Sequence, residues 1–224
     1  MKFYQVGGSI RDALLNLQPH DIDYAVEAES YDAMKNYLLE QNYTIHKENS
    51  HYGSLTAKCP ITNITCDYTI CRIDGPYLNF RGPSSFKVGS IKEDLFRRDF
   101  TMNAIAKIDE ELYDPYHGIK DINQRLIRCV GHTGEKLLED PLRGLRALRF
   151  AIVKNFRINE DILTVLNSDD YINRLLTLSE HLIRNELQKM FSHDTVKSLS
   201  LLSSLNVKLL SMIFKSIQLL PKII

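Results

Sequence analysis

The stretch that decides the fold is residues 20–26, which read His-Asp-Ile-Asp-Tyr-Ala-Val. The last three residues favour a β-strand, on which side chains alternate between two faces, so Asp21 and Asp23 should share one face. Two neighbouring carboxylates repel each other unless a positive charge lies between them. Mg²⁺, a hard cation that prefers oxygen ligands, meets that need. The pair predicts a magnesium site, although an Asp-x-Asp pair alone also occurs on ordinary solvated strands.

A phosphate site is predicted just ahead of this pair. Residues 2–6 favour a strand that stops at Gly7-Gly8, and a helix is predicted over residues 10–16. Ser9 and Asp12 have the spacing of a variant capping box. Backbone N–H groups point outward at a helix N-terminus and suit a phosphate, whereas a simple turn is the other reading of two glycines. A metal site and a phosphate site in one strand–helix–strand unit favour nucleotide chemistry.

Composition is that of an ordinary globular protein without a membrane segment. The chain has 224 residues, enough for one large domain or two small ones, and its 28 Lys and Arg residues balance 28 Asp and Glu residues. Zero net charge counts against an RNA-binding surface over the whole protein, but not against a local basic cleft. We expect no signal peptide, no membrane span and a cytoplasmic location. The cysteines lack zinc-site spacing and are expected to be free thiols: Cys59, Cys66, Cys71 and Cys129.

Residues 31–130 are predicted to alternate between helices and strands. The predicted elements are helix 31–41, strands 44–46, 54–58 and 64–72, helix 91–96, a hairpin of 102–108 with 111–113, and strand 126–130. Asp67 lies within the apolar strand 64–72, where it is either a third metal ligand or base, or a plain edge residue. Residues 73–89 contain Gly, Pro and Ser and are predicted to be a long, poorly ordered loop.

From Gly134 onward the pattern is helical. Asp140 and Arg143 lie three apart near the start of a predicted helix, where the ordinary interpretation is a surface ion pair. Residues 195–216 carry a broad apolar stripe on one predicted helix. We expect residues 199–213 to fold back on the preceding helices, and residues 219–224 to form an exposed patch that could support a homodimer or bind a separate RNA-binding subunit.

Several segments, in order along the chain, resemble the motifs of class II CCA-adding tRNA nucleotidyltransferases and bacterial poly(A) polymerases. Val6 to Leu15 with Asp21 to Asp23 resembles the first family motif, and Arg97 to Ala104 resembles the second. Glu139 to Phe150 resembles the nucleobase-selecting motif. Shorter matches occur at residues 114–121, 127–131 and 179–186, the last with His181 where the family usually has Arg. The resemblance spans nearly the whole chain.

The resemblance implies an α+β fold, with a polymerase-β-like nucleotidyltransferase head domain at residues 1–133 and an all-helical neck at 134–224. Asp21 and Asp23 would hold two Mg²⁺ ions, and Asp67 stands where the family usually has a third acidic residue, Glu. The nucleotide-binding residues implied are Gly7, Gly8 and Arg11 for the triphosphate, Arg98, Asp99 and Asn103 for sugar and phosphate, and Asp140 and Arg143 for the base, with Arg146 and Arg149 in the same motif.

The implied function is addition of C, A or both from CTP and ATP to the 3′ end of tRNA, or of another RNA, by two-metal catalysis. The alternatives are a poly(A)-like polymerase, a partial A-only or CC-only polymerase, and an inactive remnant that binds RNA or nucleotide. Family members are usually longer, with body and tail domains that grip tRNA. The family also keeps a loop that helps the switch from C to A, and residues 74–81 resemble it, with Asn79 where Asp is usual.

Overall fold

The structure is a computed structural model that describes residues 1–19, 21–78 and 82–215. The chain divides into two compact units, the first formed by residues 1–76 and 83–124 and the second by residues 77–82 and 125–224. The second unit begins its main segment at Arg125, whereas the sequence predicts a boundary after residue 133. The division of the chain into a head and a neck at residue 133 therefore stays a proposal.

The first unit is built on one large sheet. The strands of this unit are β1 (Lys2–Val6), β2 (Asp23–Glu27), β3 (Thr44–Asn49), β4 (Ser54–Lys58), β5 (Thr65–Ile70), β6 (Arg72–Asp74), β7 (Phe86–Val88), β8 (Ala106–Ile108) and β9 (Glu111–Tyr113). Its helices are α1 (Gly8–Leu14), α2 (Tyr31–Glu40), α3 (Ile91–Phe96) and α4 (Gly118–Asn123). Seven strands pair in the order β3-β4-β5-β2-β1-β8-β9, and β2 runs parallel to β5 while the other pairs are antiparallel.

One face of this sheet is apolar and supports α2. Val26, Leu55 and Tyr68 from three neighbouring strands pack with Met34 and Leu38 of α2, and all five are buried. Because side chains alternate along each strand, the residues between these apolar positions project from the opposite face. The apolar face of the sheet therefore fixes the register that aims the predicted catalytic carboxylates at the other face.

The second unit is mainly helical. It contains α5 (Thr133–Glu139), α6 (Leu142–Val153), α7 (Glu160–Leu166), α8 (Asp169–Leu175), α9 (Glu180–His193), α10 (Thr195–Ser203) and α11 (Val207–Lys215), with strands β10 (Leu126–Ile127) and β11 (Arg157–Ile158). The two short strands pair in parallel, and α6 packs against α9. The predicted α+β fold with a helical region is confirmed, with β11 as a two-residue strand among the helices.

The start of α1 differs from the predicted capping box. Gly7 is the N-terminal cap, with φ of 77°, and no side chain caps the helix. Ser9 lies inside the helix, where its hydroxyl donates to the carbonyl oxygen of Val6 at 3.2 Å. A positive φ is readily adopted by glycine, which turns the chain from β1 into the helix two residues earlier than predicted. The capping-box prediction is therefore wrong.

The predicted loop of residues 73–89 contains part of a two-stranded ribbon. β6 and β7 pair antiparallel, with Arg72 opposite Val88. The Arg72 guanidinium stacks on the Phe86 ring, 5.5 Å from its centroid, and forms an ion pair with Asp74 at 2.8 Å. The expectation of a poorly ordered loop is wrong for these two strands. Residues 79–81 lie outside the described residues.

Over residues 195–215, the part of the predicted helix 195–216 that the structure describes, the chain forms two helices, α10 and α11, rather than one. The backbone N–H of Asn206 donates to the Asn167 side chain at 2.7 Å, and the Asn206 side chain accepts from the N–H of Lys208 at 2.8 Å. Leu202, Leu205, Leu209 and Ile213 are buried, as expected for a fold-back, whereas Leu199 is 48% exposed. The patch predicted at residues 219–224 lies outside the described residues. No helix in the described part of the chain combines the length and apolar character needed to cross a bilayer.

Candidate active site

The predicted catalytic carboxylates lie at one end of the central strands. Asp23 begins β2, where it pairs with Val6, the last residue of β1. On its other side Asp23 is in direct register with Asp67 of β5. Asp21 precedes β2 and is exposed. The parallel pairing of β2 with β5 therefore brings together two carboxylates that are 44 positions apart in the sequence.

Nearby cations only partly balance the negative charges of Asp21, Asp23 and Asp67. Burial raises the pKa of Asp23, Arg98 partly opposes that shift, and the Asp67 and Asp21 carboxylates raise the pKa further. Such a shift means that the ionised form of Asp23 is disfavoured until a cation approaches. The structure thus gives a physical basis for the positive charge that the sequence predicts between these side chains.

The donor atoms in this group suit a hard cation. They are carboxylate oxygens, the ligand type that Mg²⁺ prefers, and Mg²⁺ is commonly bound through one or two carboxylates together with substrate phosphates. Within residues 1–19, 21–78 and 82–215, no three Asp, Glu, His or Cys side chains are grouped to hold a metal ion by themselves. Asp21 and Asp23 therefore fit an ion that shares its ligands with a nucleotide, and their metal binding remains a prediction.

Arg98 lies above the turn that follows β1. A Cβ atom added at Gly7 would be 3.1 Å from Nη1 of Arg98 and 3.8 Å from Oδ2 of Asp23. Asp94, one turn earlier on α3, accepts from Nη2 of Arg98 at 3.0 Å. The buried Nε of Arg98 has no hydrogen-bond partner among the described residues. The absence of a side chain at Gly7 therefore leaves space between a guanidinium and a carboxylate, where a phosphate could approach both.

Three other predicted nucleotide-binding residues form one buried network. Nη1 of Arg11 donates to Oδ1 of Asn103 at 2.6 Å, and Nδ2 of Asn103 donates to Oδ1 of Asp99 at 2.9 Å. Arg11 also pairs with Asp12 at 2.9 Å and is only 6% exposed. A Cβ atom added at Gly8 would lie 3.3 Å from Nη2 of Arg11. The network supports the Gly7-Gly8 turn from behind, and direct contact of its members with a triphosphate remains a prediction.

In the second unit, Arg143 of α6 is buried among balancing partners. Its Nη1 donates to the carbonyl oxygen of Lys136 at 3.1 Å and to the Glu139 carboxylate, and its Nε lies 3.9 Å from Oδ2 of Asp140. Its guanidinium also lies 5.6 Å from the centroid of the Tyr77 ring. Burial alone would lower the pKa of Arg143, but Tyr77, Glu139 and Asp140 together raise it. Arg143 is therefore a buried cation held by several partners. Its spacing from Asp140 had suggested only a surface ion pair.

The other two arginines of α6 are arranged around one aromatic ring. The guanidinium of Arg146 lies 5.6 Å and that of Arg149 lies 4.2 Å from the centroid of Phe150. Nε of Arg149 also donates to Oε2 of Glu186 on α9 at 2.5 Å. The four predicted residues of this motif therefore share α6 or its immediate N-terminal side, and Arg149 also ties α6 to α9.

Comparison with known proteins assigns a family. A family model described as "Poly A polymerase head domain" matches residues 3–128. The chain belongs to this family. It is 35% identical over 198 residues to the CCA-adding enzyme of Staphylococcus epidermidis. The aligned region covers 88% of this chain and 47% of that relative. The chain spans about half the length of the curated relatives it matches.

Solved structures agree with this family assignment. The chain is similar to the Bacillus stearothermophilus CCA-adding enzyme in complex with CTP, with a TM-score of 0.78, 28% identity and coverage of 92% of this chain and 48% of that one. It is also similar to the Thermotoga maritima CCA-adding enzyme complexed with tRNA_CCA, with a TM-score of 0.70, 26% identity and coverage of 90% and 46%. The similarity to these structures therefore extends over most of this chain, including its helical part.

In this member of the family, two features of the site escape sequence reasoning. Asp94 is completely buried, and it accepts hydrogen bonds from both Arg97 and Arg98. Its i,i+3 and i,i+4 spacing from the two arginines is the signal that could have identified it. The second feature is a cleft of about 340 Å³ on the polar face of the sheet, to which β3 and β4 contribute beside Asp23, Asp67 and Arg98. No local pattern in residues 44–58 predicts that contribution.

Proposed function

We propose that this chain carries the nucleotidyltransferase part of an enzyme that adds C, A or both from CTP and ATP to the 3′ end of tRNA. The observation that carries the proposal is the register that places Asp23 beside Asp67 on one side and beside the end of β1 on the other, with Arg98 near Gly7. The names of the similar proteins, CCA-adding enzymes, support the choice of tRNA and of these nucleotides.

The proposed reaction is transfer of a nucleotidyl group to an RNA hydroxyl. The RNA 3′ oxygen forms a bond to the α-phosphorus, the bond from that phosphorus to the bridging oxygen breaks, and pyrophosphate leaves with the electron pair. Asp67 accepts a hydrogen bond from Thr56 through Oδ1, so its Oδ2 can receive the hydroxyl proton. Asp21 and Asp23 would hold Mg²⁺, which supplies charge stabilisation and a lowered pKa of the hydroxyl.

The chain's own cations would orient the triphosphate. Nη1 of Arg98 lies beside Gly7, 3.1 Å from the position that a Cβ atom would take there, and the hydrogen bond from Nη2 to Asp94 holds the guanidinium in place. Fixed donors of this kind stabilise charge without reorganising during the reaction. The buried Arg11, Asn103 and Asp99 network would keep the turn rigid rather than move with the substrate.

We assign base choice to Asp140 and Arg143. A carboxylate and a guanidinium offer acceptors and donors in fixed geometry, and a base that mismatches them leaves polar groups unpaired. The partners of Arg143 hold its guanidinium in one position. The poly(A)-like or partial polymerase stays an alternative, as does an inactive remnant, which the intact Asp21, Asp23 and Arg98 disfavour. A homodimer or a separate RNA-binding subunit, and a cytoplasmic location, are further proposals.

Incubation of the purified chain with tRNA lacking its 3′ end, Mg²⁺ and each labelled nucleotide tests the proposal. We expect incorporation from CTP, ATP or both, and none from GTP or UTP. C without A would indicate a CC-only enzyme, and long A tracts a poly(A)-like one. No incorporation of any nucleotide, by protein whose fold is verified by circular dichroism, would contradict the proposal and favour the inactive remnant.

A further inference from the structure

A row of polar side chains crosses the open face of the sheet from Asp23 to the edge strand β3. Asp23 is in register with Asp67, Asp67 with Thr56, and Thr56 with Lys47. Residues directly opposite each other on neighbouring strands project to the same face. At the usual strand spacing of about 4.8 Å, the row spans about 14 Å. It therefore runs from the predicted catalytic carboxylates to a cation at the far side of the same cleft.

A β-bulge places Lys47 in this row. The pairing of β3 with β4 shifts between Ile45, which is opposite Ala57, and Lys47, which is opposite Thr56. If the pairing of Ile45 with Ala57 continued regularly, His46 would lie opposite Thr56, and Lys47 would lie opposite Leu55 on the apolar face of the sheet. Bulges of this kind occur next to active sites, where they redirect a side chain. The backbone irregularity thus directs a cation into the cleft.

Lys47 is also available for binding. It is exposed, it lines the cleft, and it has no ion-pair partner among the described residues. Lys35, by contrast, is held by Glu48 at 2.8 Å. The parallel row of Asn49, Ser54 and Thr69 is uncharged and also lines the cleft. Among the described residues that line this end of the cleft, Lys47 is therefore a cation next to neutral hydrogen-bonding groups.

The direction of the row indicates which substrate it faces. The Gly7 turn and Arg98, proposed to hold the triphosphate, lie on the β1 side of Asp23, whereas the row extends on the β5 side. In phosphoryl transfer the attacking and leaving oxygens are roughly in line, on opposite sides of the phosphorus. The attacking RNA hydroxyl should therefore enter from the Asp67 side, and the nucleotides behind it should continue toward Lys47.

We infer that Lys47 binds a backbone phosphate of the single-stranded RNA 3′ end, and that the row from Asp67 to Lys47 is the path of that strand. This inference rests on the proposed function for its direction. Its ligand class is single-stranded RNA rather than the incoming nucleotide. Thr56 acts beside it as a positioning residue, because its hydroxyl lies 2.5 Å from Oδ1 of Asp67.

Fluorescence anisotropy with a 5′-labelled single-stranded RNA oligonucleotide, without nucleotide, tests the inference in the full chain. We expect Lys47→Gln to weaken RNA binding severalfold and Lys47→Arg to retain it. The slope of log affinity against log salt should fall in magnitude by about 0.7 in Lys47→Gln, as for one phosphate contact to a single strand. The matched control is Lys2→Gln, since Lys2 is an exposed lysine at the other end of β1.

Steady-state kinetics provide the second measurement. Lys47→Gln should raise KM for the RNA severalfold and leave KM for CTP unchanged. Equal RNA binding by wild type and Lys47→Gln, whether tight or undetectable, would overturn the inference, as would an equal loss in Lys2→Gln or a matching rise in KM for CTP. Lys47-dependent RNA binding without any nucleotide transfer would contradict the proposed function alone. Transfer with Lys47-independent RNA binding would overturn this inference alone.

Discussion

The carboxylates of the first unit and the arginines of α6 are both predicted to handle a nucleotide, but their surroundings differ. Asp23 is held near two other carboxylates, and burial together with that repulsion raises its pKa even though Arg98 opposes the shift. Arg143 is equally charged and more buried, yet Glu139, Asp140 and the Tyr77 ring balance it. The negative charge of the first group is only partly compensated, by Arg98, whereas the positive charge of Arg143 already has its partners.

The two groups should therefore differ in how substrate binding and substitution change their free energy. A group with uncompensated charge gains most when a cation or phosphate binds, and it costs folding free energy until then. A group that is already paired is pre-organised, and removing it leaves buried partners unsatisfied. Substitutions in the first group should therefore remove activity without loss of stability, whereas substitutions in the second should affect both.

The largest expected effect follows from Asp23→Ala. Loss of this carboxylate should lower turnover by at least about a hundredfold. Removal of one charge-stabilising group typically costs about a hundredfold to a thousandfold. ATP binding should fall much less, because the other proposed triphosphate contacts remain. Radiolabel incorporation into tRNA measures the first quantity and equilibrium dialysis the second. Glu111→Gln, on the exposed strand β9, is the control, and near-normal incorporation by Asp23→Ala would refute the catalytic assignment.

The next effect concerns the loop between β6 and β7. Deletion of residues 78–82 should spare addition of C and abolish addition of A, while the strand pairing of Arg72 with Val88 is kept. The family resemblance implies that this loop helps the switch between bases, and Tyr77 at its start lies within 3.3 Å of Nη2 of Arg143. Product lengths on sequencing gels measure the outcome. Loss of both activities would indicate a structural role for the loop.

A smaller effect is expected for Arg143→Ala. Removal of a matched polar partner costs roughly 1–3 kcal/mol per unsatisfied group, so discrimination against GTP and UTP should relax by about tenfold or more. A four-nucleotide competition measures this ratio. The melting temperature should also fall, because Glu139 and Tyr77 lose a buried partner. Arg157→Ala, at an exposed position of β11, is the control, and unchanged selectivity would remove Arg143 from the base site.

The smallest effect is a gain in stability. Asp23→Asn removes a carboxylate whose folded pKa is raised, so its melting temperature at neutral pH without metal should exceed that of the wild type. A raised carboxyl pKa makes ionisation unfavourable in the folded state, so the gain should exist above that pKa and vanish as pH falls below the ordinary carboxyl range. Differential scanning fluorimetry across pH measures it. A lower melting temperature at neutral pH would show that the carboxylates are already compensated.

Local sequence patterns predicted much of the first unit. The apolar alternation in β2, β4 and β5 placed Asp23 and the core side chains on opposite faces, because the strand period is two residues. The predicted helix 31–41 forms as α2, and the side chain of Ser30 caps it by accepting a hydrogen bond from the N–H of Ala33 at 3.0 Å. The hairpin of β8 and β9 was also predicted, although its first strand starts at Ala106 rather than at residue 102.

By itself, the sequence determined the α+β class, the strand face of Asp23 and the family, because these depend on short-range periodicity and on motifs. Tertiary structure alone decided the features that depend on distant partners. Arg72 stacks on Phe86 to form the ribbon, Asn167 caps the break before α11, and the pairing with β4 creates the bulge that turns Lys47 into the cleft. Each of these contacts depends on pairing or packing between separate elements, so the periodicity within one segment of sequence does not reveal it.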